Sequence, residues 1–200
     1  MAAPEPSPAD APAVPRQAAS VIVLRGGSRA LEVLLVRRSA AARFMPGAWV
    51  FPGGALDGAE SHRAAAVREL AEEAAVRLDD PAALVPFSRW ITPPELAIRF
   101  DTHFFLAPLP AGQVARADGA EMTDAAWHPP AAALDAERRG ALVLMFPTIR
   151  MLEQLAGFDA ADEVLGWARG RTVAPVEPRL VGTGETARIV LPGEPDHPGG

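Results

Sequence analysis

Three glutamates in one short stretch have the clearest capacity for chemistry in this sequence. In RELAEE, which begins at Arg68, the residues Glu69, Glu72 and Glu73 stand at i, i+3 and i+4 and would share one face of a helix. Such a face is commonly just a solvated surface. Carboxylates at this spacing can also converge on one divalent ion and leave its other positions to water and phosphate oxygens, as Mg²⁺ prefers. The stretch alone leaves both interpretations open.

The residues around the glutamates follow a longer pattern. Five residues separate Gly54 from Glu60, seven more precede Arg68-Glu69-Leu70, and Glu72-Glu73 and Ala75-Val76 complete the segment. This spacing resembles the Nudix box, G-x5-E-x7-R-E-U-x-E-E-x-G-U, in which U is aliphatic. The one departure is Ala75, where the family has glycine. A glycine would end the helix in a left-handed conformation, so Ala75 leaves the helix end open but removes no ligand.

The resemblance implies a metal-assisted attack of water on a diphosphate. It implies a divalent ion, Mg²⁺ or Mn²⁺, whose ligands would be Glu69, Glu72, Glu73 and the Gly53 carbonyl. Arg68 would orient the glutamates, and Glu60 would lie near the ion mainly as a structural partner. Gly54, which opens the box, is assigned to the substrate-binding turn.

A second resemblance lies ahead of the box. Arg38-Ser39, Arg43, Gly47 and Phe51–Gly54 are spaced as in the motif of the coenzyme A diphosphatases of the Nudix superfamily. The segment 89–107 resembles the acyl-CoA branch of those enzymes. The implied substrate is coenzyme A or an acyl-CoA, cleaved to 3′,5′-ADP and (acyl-)4′-phosphopantetheine. Guanidinium groups suit phosphate oxygens, so Arg38 and Arg43 are candidate substrate ligands, although both could be ordinary loop charges.

Three functional questions stay open in the sequence. The substrate could instead be another nucleoside diphosphate derivative, such as ADP-ribose, a dinucleotide or a damaged nucleoside triphosphate. The domain could also sense a nucleotide without cleaving it. In this superfamily the general base is often a glutamate shortly before a tryptophan on a later strand. Glu121 fits that description ahead of Trp127, and Asp124 is the second candidate.

The elements that must position these residues follow from the apolar pattern. Ser61 can cap a helix that runs to about Arg77 with one apolar face. The expected strands are 20–24, 31–37, 48–51, 84–91, 100–109 and 121–128, with a final pair at 172–176 and 187–193. Further helices are expected at 131–139, 146–158 and 159–169. This order predicts an α/β class with a mixed sheet between helices, an α/β/α sandwich. The resemblance to the Nudix box implies that this sandwich is the Nudix fold.

The bulk composition limits the classes of partner. The chain has 200 residues, 49% of them hydrophobic, which suits one domain at 19–192, with a disordered tail at 1–18 and a flexible tail at 193–200. A net charge of −6 argues against nucleic-acid and anionic-membrane partners. The sequence lacks cysteine and long apolar runs, so we expect a soluble, cytoplasmic protein. The family resemblance implies that its partner is a small nucleotide. The family resemblance adds a homodimer as an option.

Overall fold

The computed structural model describes residues 12–182 and 186–197. The strands are β1 (Arg16–Arg25), β2 (Glu32–Arg38), β3 (Trp49–Val50), β4 (Gly53–Ala55), β5 (Val85–Ile91), β6 (Phe100–Pro108), β7 (Met122–His128), β8 (Pro175–Val176), β9 (Arg179–Val181) and β10 (Arg188–Val190). The helices are α1 (His62–Ala74), α2 (Pro130–Arg138), α3 (Phe146–Leu155) and α4 (Ala161–Ala168). In the described part of the chain, no helix is long and apolar enough to cross a membrane.

The central sheet is mixed and has helices on both faces. Its order is β3-β2-β1-β6-β5-β8, with β4 paired to β1 and β7 paired to β2. The β1–β6 and β5–β8 pairs are parallel, and the other pairs in this sheet are antiparallel. Successive β1 residues point to opposite faces, so Val21 packs in the core that includes Leu70 of α1, while Ile22 packs in the core that includes Leu152 of α3. The predicted mixed sheet between helices is confirmed.

A gap between β1 and β2 creates the place for the functional turn. The two strands pair only near their connecting turn, at Leu24↔Val33 and Arg25↔Glu32. Farther from that turn, β4 pairs with the β1 edge at Ala18–Ser20, and β3 pairs with β2. The segment from β3 to β4 therefore fills the space between two diverging strands, and it carries the Gly53-Gly54 pair.

Helix α1 starts where predicted and ends earlier. The Ser61 side chain accepts a hydrogen bond from the Ala64 N–H, which caps the first turn. The helix ends at Ala74, short of the predicted end at Arg77, because Ala75 adopts the left-handed conformation with φ 55°. Alanine therefore takes the conformation that the family gives to glycine. The sequence pattern predicts an apolar face of Val67, Leu70, Ala71 and Ala74, but the structure buries Ala65, Ala66, Leu70, Glu73 and Ala74.

The predicted N-terminal tail at 1–18 overlaps the first strand. Strand β1 begins at Arg16, inside the predicted tail 1–18, because its first residues pair with β6 in a parallel ladder that starts at Arg16↔Phe100. Residues 1–11 lie outside the described residues, as do 198–200 at the other end. In the predicted tail 193–200, Asp196 forms an ion pair with Arg188, and the His197 ring lies 3.1 Å from the Glu177 carbonyl oxygen.

The pairing of the last strands was predicted wrongly. Strand β8 pairs with β5 of the central sheet, and β10 pairs with β9, a strand that the apolar pattern did not indicate. The open edge of β5 offers β8 a partner that only the tertiary fold reveals. Strand β4 was also missed, because its two glycines have low strand propensity.

Candidate active site

The Gly53-Gly54 pair allows two close approaches that side chains would obstruct. A Cβ on Gly53 would lie 2.4 Å from the Ala19 carbonyl oxygen and 2.6 Å from the Ser20 Cα, because β4 runs against β1 there. A Cβ on Gly54 would lie 2.4 Å from Oε1 of Glu69. The first glycine lets the backbone approach β1, and the second leaves room for a carboxylate of α1.

Glu73 is the buried member of the glutamate group. It is 5% exposed, and one of its carboxylate oxygens accepts a hydrogen bond of 2.8 Å from the Gly53 N–H. Burial raises the pKa of Glu73 to about 8, the Gly53 N–H opposes that rise, and the nearby charge of Glu69 adds to it. The folded chain thus holds a carboxyl group in a place that disfavours its charge unless a cation is bound.

Glu69 occupies a similar but less buried position. Its side chain is 14% exposed and receives a hydrogen bond of 2.8 Å from Nη1 of Arg68. Burial raises the pKa of Glu69, Arg68 opposes this, and the charges of Glu72 and Glu121 raise it further. Glu72 itself is the outer member of the group, with a side chain that is 59% exposed.

Arg68 ties the carboxylates of the box together. Its Nη2 donates to Oε1 of Glu60 at 2.7 Å and to the Ala55 carbonyl at 3.2 Å, while Nη1 also reaches Oε2 of Glu72 at 3.1 Å. The hydrogen bond with Glu60 is the main reason that the pKa of Arg68 is raised, and it also lowers the pKa of Glu60. Arg68 therefore fixes α1 to the β4 turn and sets the direction of the glutamates on either side of it.

The end of β2, the loop that follows it and the residue before β7 also lie near the glutamates of α1. The Arg38 charge lowers the pKa of Glu73, whereas the Glu121 charge raises the pKa values of both Glu69 and Glu73. The two segments are joined, because the Ser39 N–H donates to the Glu121 carbonyl at 2.8 Å. The structure thus brings Arg38 and Glu121 to the buried glutamates.

Two predicted site residues lie farther out. Arg43 is exposed on the loop that follows β2. Asp124 is exposed on β7, paired in the ladder with Arg37, and its charge acts on His128. Of the two candidates for the general base, Glu121 is the one whose charge acts on the glutamates of α1.

A divalent cation fits this group of residues. Glu69 and Glu73 are two hard oxygen donors with raised pKa values, and the missing Cβ of Gly54 keeps a space open beside Glu69. A cation would remove the electrostatic cost of ionising both carboxylates. With Arg68 engaging Glu69 and Glu72, no three acidic, imidazole or thiol side chains in the described ranges converge on one point.

Two pockets, of about 180 and 230 Å³, lie away from the glutamate site: the first beside Phe87, Trp167 and Arg171, and the second beside Leu84 and Pro110. Neither is lined by a residue of the glutamate site.

Comparisons with known proteins agree with this geometry. The NUDIX domain family matches residues 14–146, so the chain belongs to the Nudix family. The Caenorhabditis elegans protein named nudix hydrolase 7 is 44% identical over 66 residues, which are 30% of this chain and 22% of that protein. The chain thus matches less than a quarter of the length of that curated relative.

Solved structures share the fold. A NUDIX hydrolase from Alicyclobacillus acidocaldarius is 28% identical with a TM-score of 0.67, covering 76% of this chain and 96% of that one. The NUDIX domain of Shewanella oneidensis NrtR, complexed with ADP ribose, is 24% identical with a TM-score of 0.56, covering 71% and 86%. A Caenorhabditis elegans Ap4A hydrolase is 21% identical with a TM-score of 0.54, covering 72% and 99%. The hydrolase class predicted from the sequence agrees with these relatives, because three of the four proteins compared are named hydrolases.

The hydrogen bonds that hold the backbone of the Gly53-Gly54 turn were not evident in the sequence. The Gly53 N–H that holds Glu73, the Ala55 carbonyl that accepts from Arg68, and the Ser20 hydroxyl that donates to the Pro52 carbonyl at 2.8 Å all fix the turn. The Gly-Gly pair was the available signal for them, because such a pair marks a close approach of backbone.

Proposed function

We propose that this chain is a divalent-metal-dependent diphosphatase that cleaves the diphosphate linkage of a nucleotide derivative. The observation that carries the proposal is the pairing of Glu69 and Glu73 against the Gly53-Gly54 turn. Two carboxylates are held with little solvent around them, and the main cationic neighbour, Arg68, contacts only one of them. Mg²⁺ or Mn²⁺ would be held by Glu69, Glu72 and Glu73, with the Gly53 carbonyl as a fourth ligand.

The chain's own residues have distinct parts in the reaction. A bound divalent ion supplies charge neutralisation on the phosphoryl oxygens and makes a bound water more acidic. The oxygen of a water forms a bond to one phosphorus, the P–O bond of the anhydride breaks, and the released phosphate oxygen keeps the electron pair. Glu121 accepts the proton of the attacking water. Arg68 keeps the glutamates oriented through its bonds to Glu60 and Glu69.

Coenzyme A or an acyl-CoA is the substrate that the surroundings favour. Arg38, at the end of β2, lies close enough to the glutamates for its charge to act on Glu73, and Arg43 is exposed on the loop that follows β2. A substrate with a diphosphate and a separate 3′-phosphate has enough negative charge to use both guanidinium groups. The spacing of Arg38, Arg43 and Gly47 ahead of the turn supports the same choice. The products are then 3′,5′-ADP and (acyl-)4′-phosphopantetheine.

A substrate panel tests the proposal. Purified protein would be incubated with coenzyme A, acyl-CoAs, ADP-ribose, Ap4A, NADH and nucleoside triphosphates, with Mg²⁺ and with Mn²⁺, and the products would be identified by mass spectrometry. We expect metal-dependent release of 3′,5′-ADP from coenzyme A compounds. Cleavage of only another compound would support the diphosphatase activity and rule out coenzyme A as the substrate. Nucleotide binding without cleavage in saturating metal would identify a sensor and overturn the proposal.

A matched pair of substrates isolates the role of the arginines. Arg38→Ala and Arg43→Ala would be compared on coenzyme A and on its 3′-dephospho form. A guanidinium that contacts the 3′-phosphate contributes about 1.5–3 kcal/mol, so its loss should lower kcat/KM on coenzyme A by roughly tenfold or more and spare the dephospho form. Equal losses on both substrates would show that the arginines do not recognise the 3′-phosphate.

A further inference from the structure

The loop between β6 and β7, residues 109–121, is fastened to the end of the helix that carries the glutamates. The Arg116 N–H donates to the carbonyl of Ala74, the last residue of α1, at 2.9 Å. The Gln113 side chain pairs with both backbone groups of Arg77, accepting from its N–H at 2.8 Å and donating to its carbonyl at 2.8 Å. Carbonyls at a helix end lack partners within the helix, so the loop satisfies one of them here. The loop therefore moves with α1.

Asp118 closes the end of this loop into a tight turn. Its Oδ2 accepts from the Glu121 N–H at 3.0 Å, and its Oδ1 accepts from the Met122 N–H at 2.7 Å. The Gly119 N–H donates to the Met122 carbonyl at 2.9 Å, and glycine adopts the required φ of 80° without strain. Loss of solvent raises the pKa of Asp118, but the hydrogen bonds from the backbone N–H groups of Glu121, Met122 and Ala120 lower it by more. The turn is therefore built around an ionised carboxylate.

A β-bulge follows the turn directly. Two consecutive residues of β2 pair with Asp124 and Met122 of β7, so Thr123 is an extra residue on β7. Met122 is fully buried in the core that lies beneath α1. Bulges beside functional sites redirect the side chains around them and fix the local register. The bulge and the buried methionine thus anchor the chain immediately after Glu121.

Both backbone groups of Glu121 are engaged as a result. Its N–H donates to Asp118, and its carbonyl accepts from the Ser39 N–H at 2.8 Å. Ser39 follows Arg38, whose charge acts on Glu73, so the second bond ties Glu121 to the same site. The Glu121 side chain starts from a backbone that is held on both sides, at a distance where its charge acts on Glu69 and Glu73.

We propose that Asp118 is a positioning residue that directs Glu121 at the attacking water. The inference rests on the proposed function, because it requires Glu121 to accept the proton of that water. A proton acceptor must lie about 2.6–3.2 Å from the atom that carries the proton, and a displacement of about 1 Å can cost about a hundredfold in rate. Asp118 acts only through the backbone of Glu121 and the turn. Its loss therefore lowers kcat and leaves KM unchanged.

Steady-state kinetics in Mg²⁺ test this role on coenzyme A, or on the compound of the substrate panel that the wild type cleaves instead. Asp118→Ala removes both acceptors, so kcat should fall at least about tenfold while KM changes less than about twofold. Asp118→Asn keeps one side-chain oxygen as an acceptor and should restore kcat to within about threefold of the wild type. Asp80→Ala is the matched control, since Asp80 accepts from the Ala82 N–H at 2.8 Å in the turn before β5, and its kcat should stay within about twofold.

A double-mutant cycle distinguishes positioning of Glu121 from a general effect on the fold. Asp118→Ala introduced into Glu121→Gln should lower kcat by less than about a further twofold, because the group that Asp118 directs is already disabled. A full additional tenfold loss would show that Asp118 acts through something other than Glu121, and it would overturn the inference. A lower unfolding free energy of Asp118→Ala with an unchanged kcat would also overturn it, since the turn would then serve stability alone.

The outcomes separate this inference from the proposed function. A kcat that falls in Glu121→Gln and not in Asp118→Ala would overturn the role of Asp118 and leave the diphosphatase and its base standing. An unchanged kcat in Glu121→Gln would overturn the assigned base and the role of Asp118 together, while metal-dependent cleavage by the wild type would still support the diphosphatase. Failure of the wild type to cleave any compound of the panel would overturn the proposed function itself and the role of Asp118 with it.

Discussion

Replacing Glu73 with glutamine should stabilise the metal-free protein, and the gain should grow with pH. The Glu73 carboxyl has a pKa of about 8 in the folded state, against 4.5 for an ordinary glutamate. A carboxyl whose pKa is raised by folding costs no stability below pH 4.5, where it is protonated in both states. Between pH 4.5 and 8 the unfolded state ionises first, so the free energy of unfolding falls as the pH rises.

The magnitude follows from the two pKa values. At about 1.4 kcal/mol per pKa unit, the cost of the buried carboxyl is about 1 kcal/mol at pH 5 and approaches about 5 kcal/mol at pH 9. The upper figure is a ceiling, since water entering the site would screen the charge. Glutamine carries no charge, and its side-chain oxygen can still accept from the Gly53 N–H. We therefore expect the free energy of unfolding of Glu73→Gln to exceed that of the wild type by about 1 kcal/mol at pH 5 and by about 3–5 kcal/mol at pH 9.

Urea denaturation in chelator at pH 5, 7 and 9 measures this difference. Glu153→Gln is the control, because Glu153 is a surface glutamate, 44% exposed, on the separate helix α3, and its replacement should change stability by less than about 1 kcal/mol. Adding Mn²⁺ should raise the stability of the wild type and narrow its gap to the variant. If the difference in unfolding free energy between Glu73→Gln and the wild type did not vary with pH, folding would not raise the pKa of Glu73.

Five other variants test separate parts of the site and of the helix that carries it. Gly54→Ala would place a Cβ 2.4 Å from Oε1 of Glu69, so turnover should fall at least about tenfold in initial-rate assays, while the unfolding free energy changes by less than about 1 kcal/mol because the carboxylate can rotate away. Ala75→Gly should raise the unfolding free energy by about 0.5–1 kcal/mol in urea titrations, since glycine takes the left-handed conformation without strain. Arg68→Lys should retain its circular dichroism spectrum and lose at least about tenfold in kcat, because one ammonium cannot replace a guanidinium that spans Glu60, Glu69 and Glu72. Glu121→Gln should lower kcat by about 10²–10⁴ in single-turnover assays and Asp124→Asn by less than about threefold; the reverse order would move the base to Asp124.

The sequence was most informative where spacing has a direct physical meaning. The i, i+3 and i+4 spacing placed the three glutamates on one helix, and the apolar pattern located the long strands. Even so, the sequence did not distinguish the three carboxylates, whereas the structure buries Glu73 and leaves Glu72 exposed. That difference depends on how α1 packs against β4, which spacing along one helix does not encode.

The missed features are all set by contacts between distant segments. Strand β4 forms because β1 and β2 diverge and leave an edge for it, although its glycines have poor strand propensity. Strand β9 was missed because its ladder covers three residues, and its partner β10 was assigned to β8. The link between residues 177–180 and the β5–β6 loop joins side chains far apart in sequence, such as Glu95 and Arg179. Local patterns carry no information on such pairs.

The most direct test of the central claim is hydrolysis of coenzyme A in water enriched in ¹⁸O. The wild-type protein and Glu73→Gln would be incubated with and without Mg²⁺, and the products would be weighed by mass spectrometry. We expect 3′,5′-ADP and 4′-phosphopantetheine to form only with the wild type and metal, and one of the two products to carry a single ¹⁸O. Equal product formation by Glu73→Gln, or by the wild type in chelator, would contradict the claim that these glutamates hold the ion on which the reaction depends.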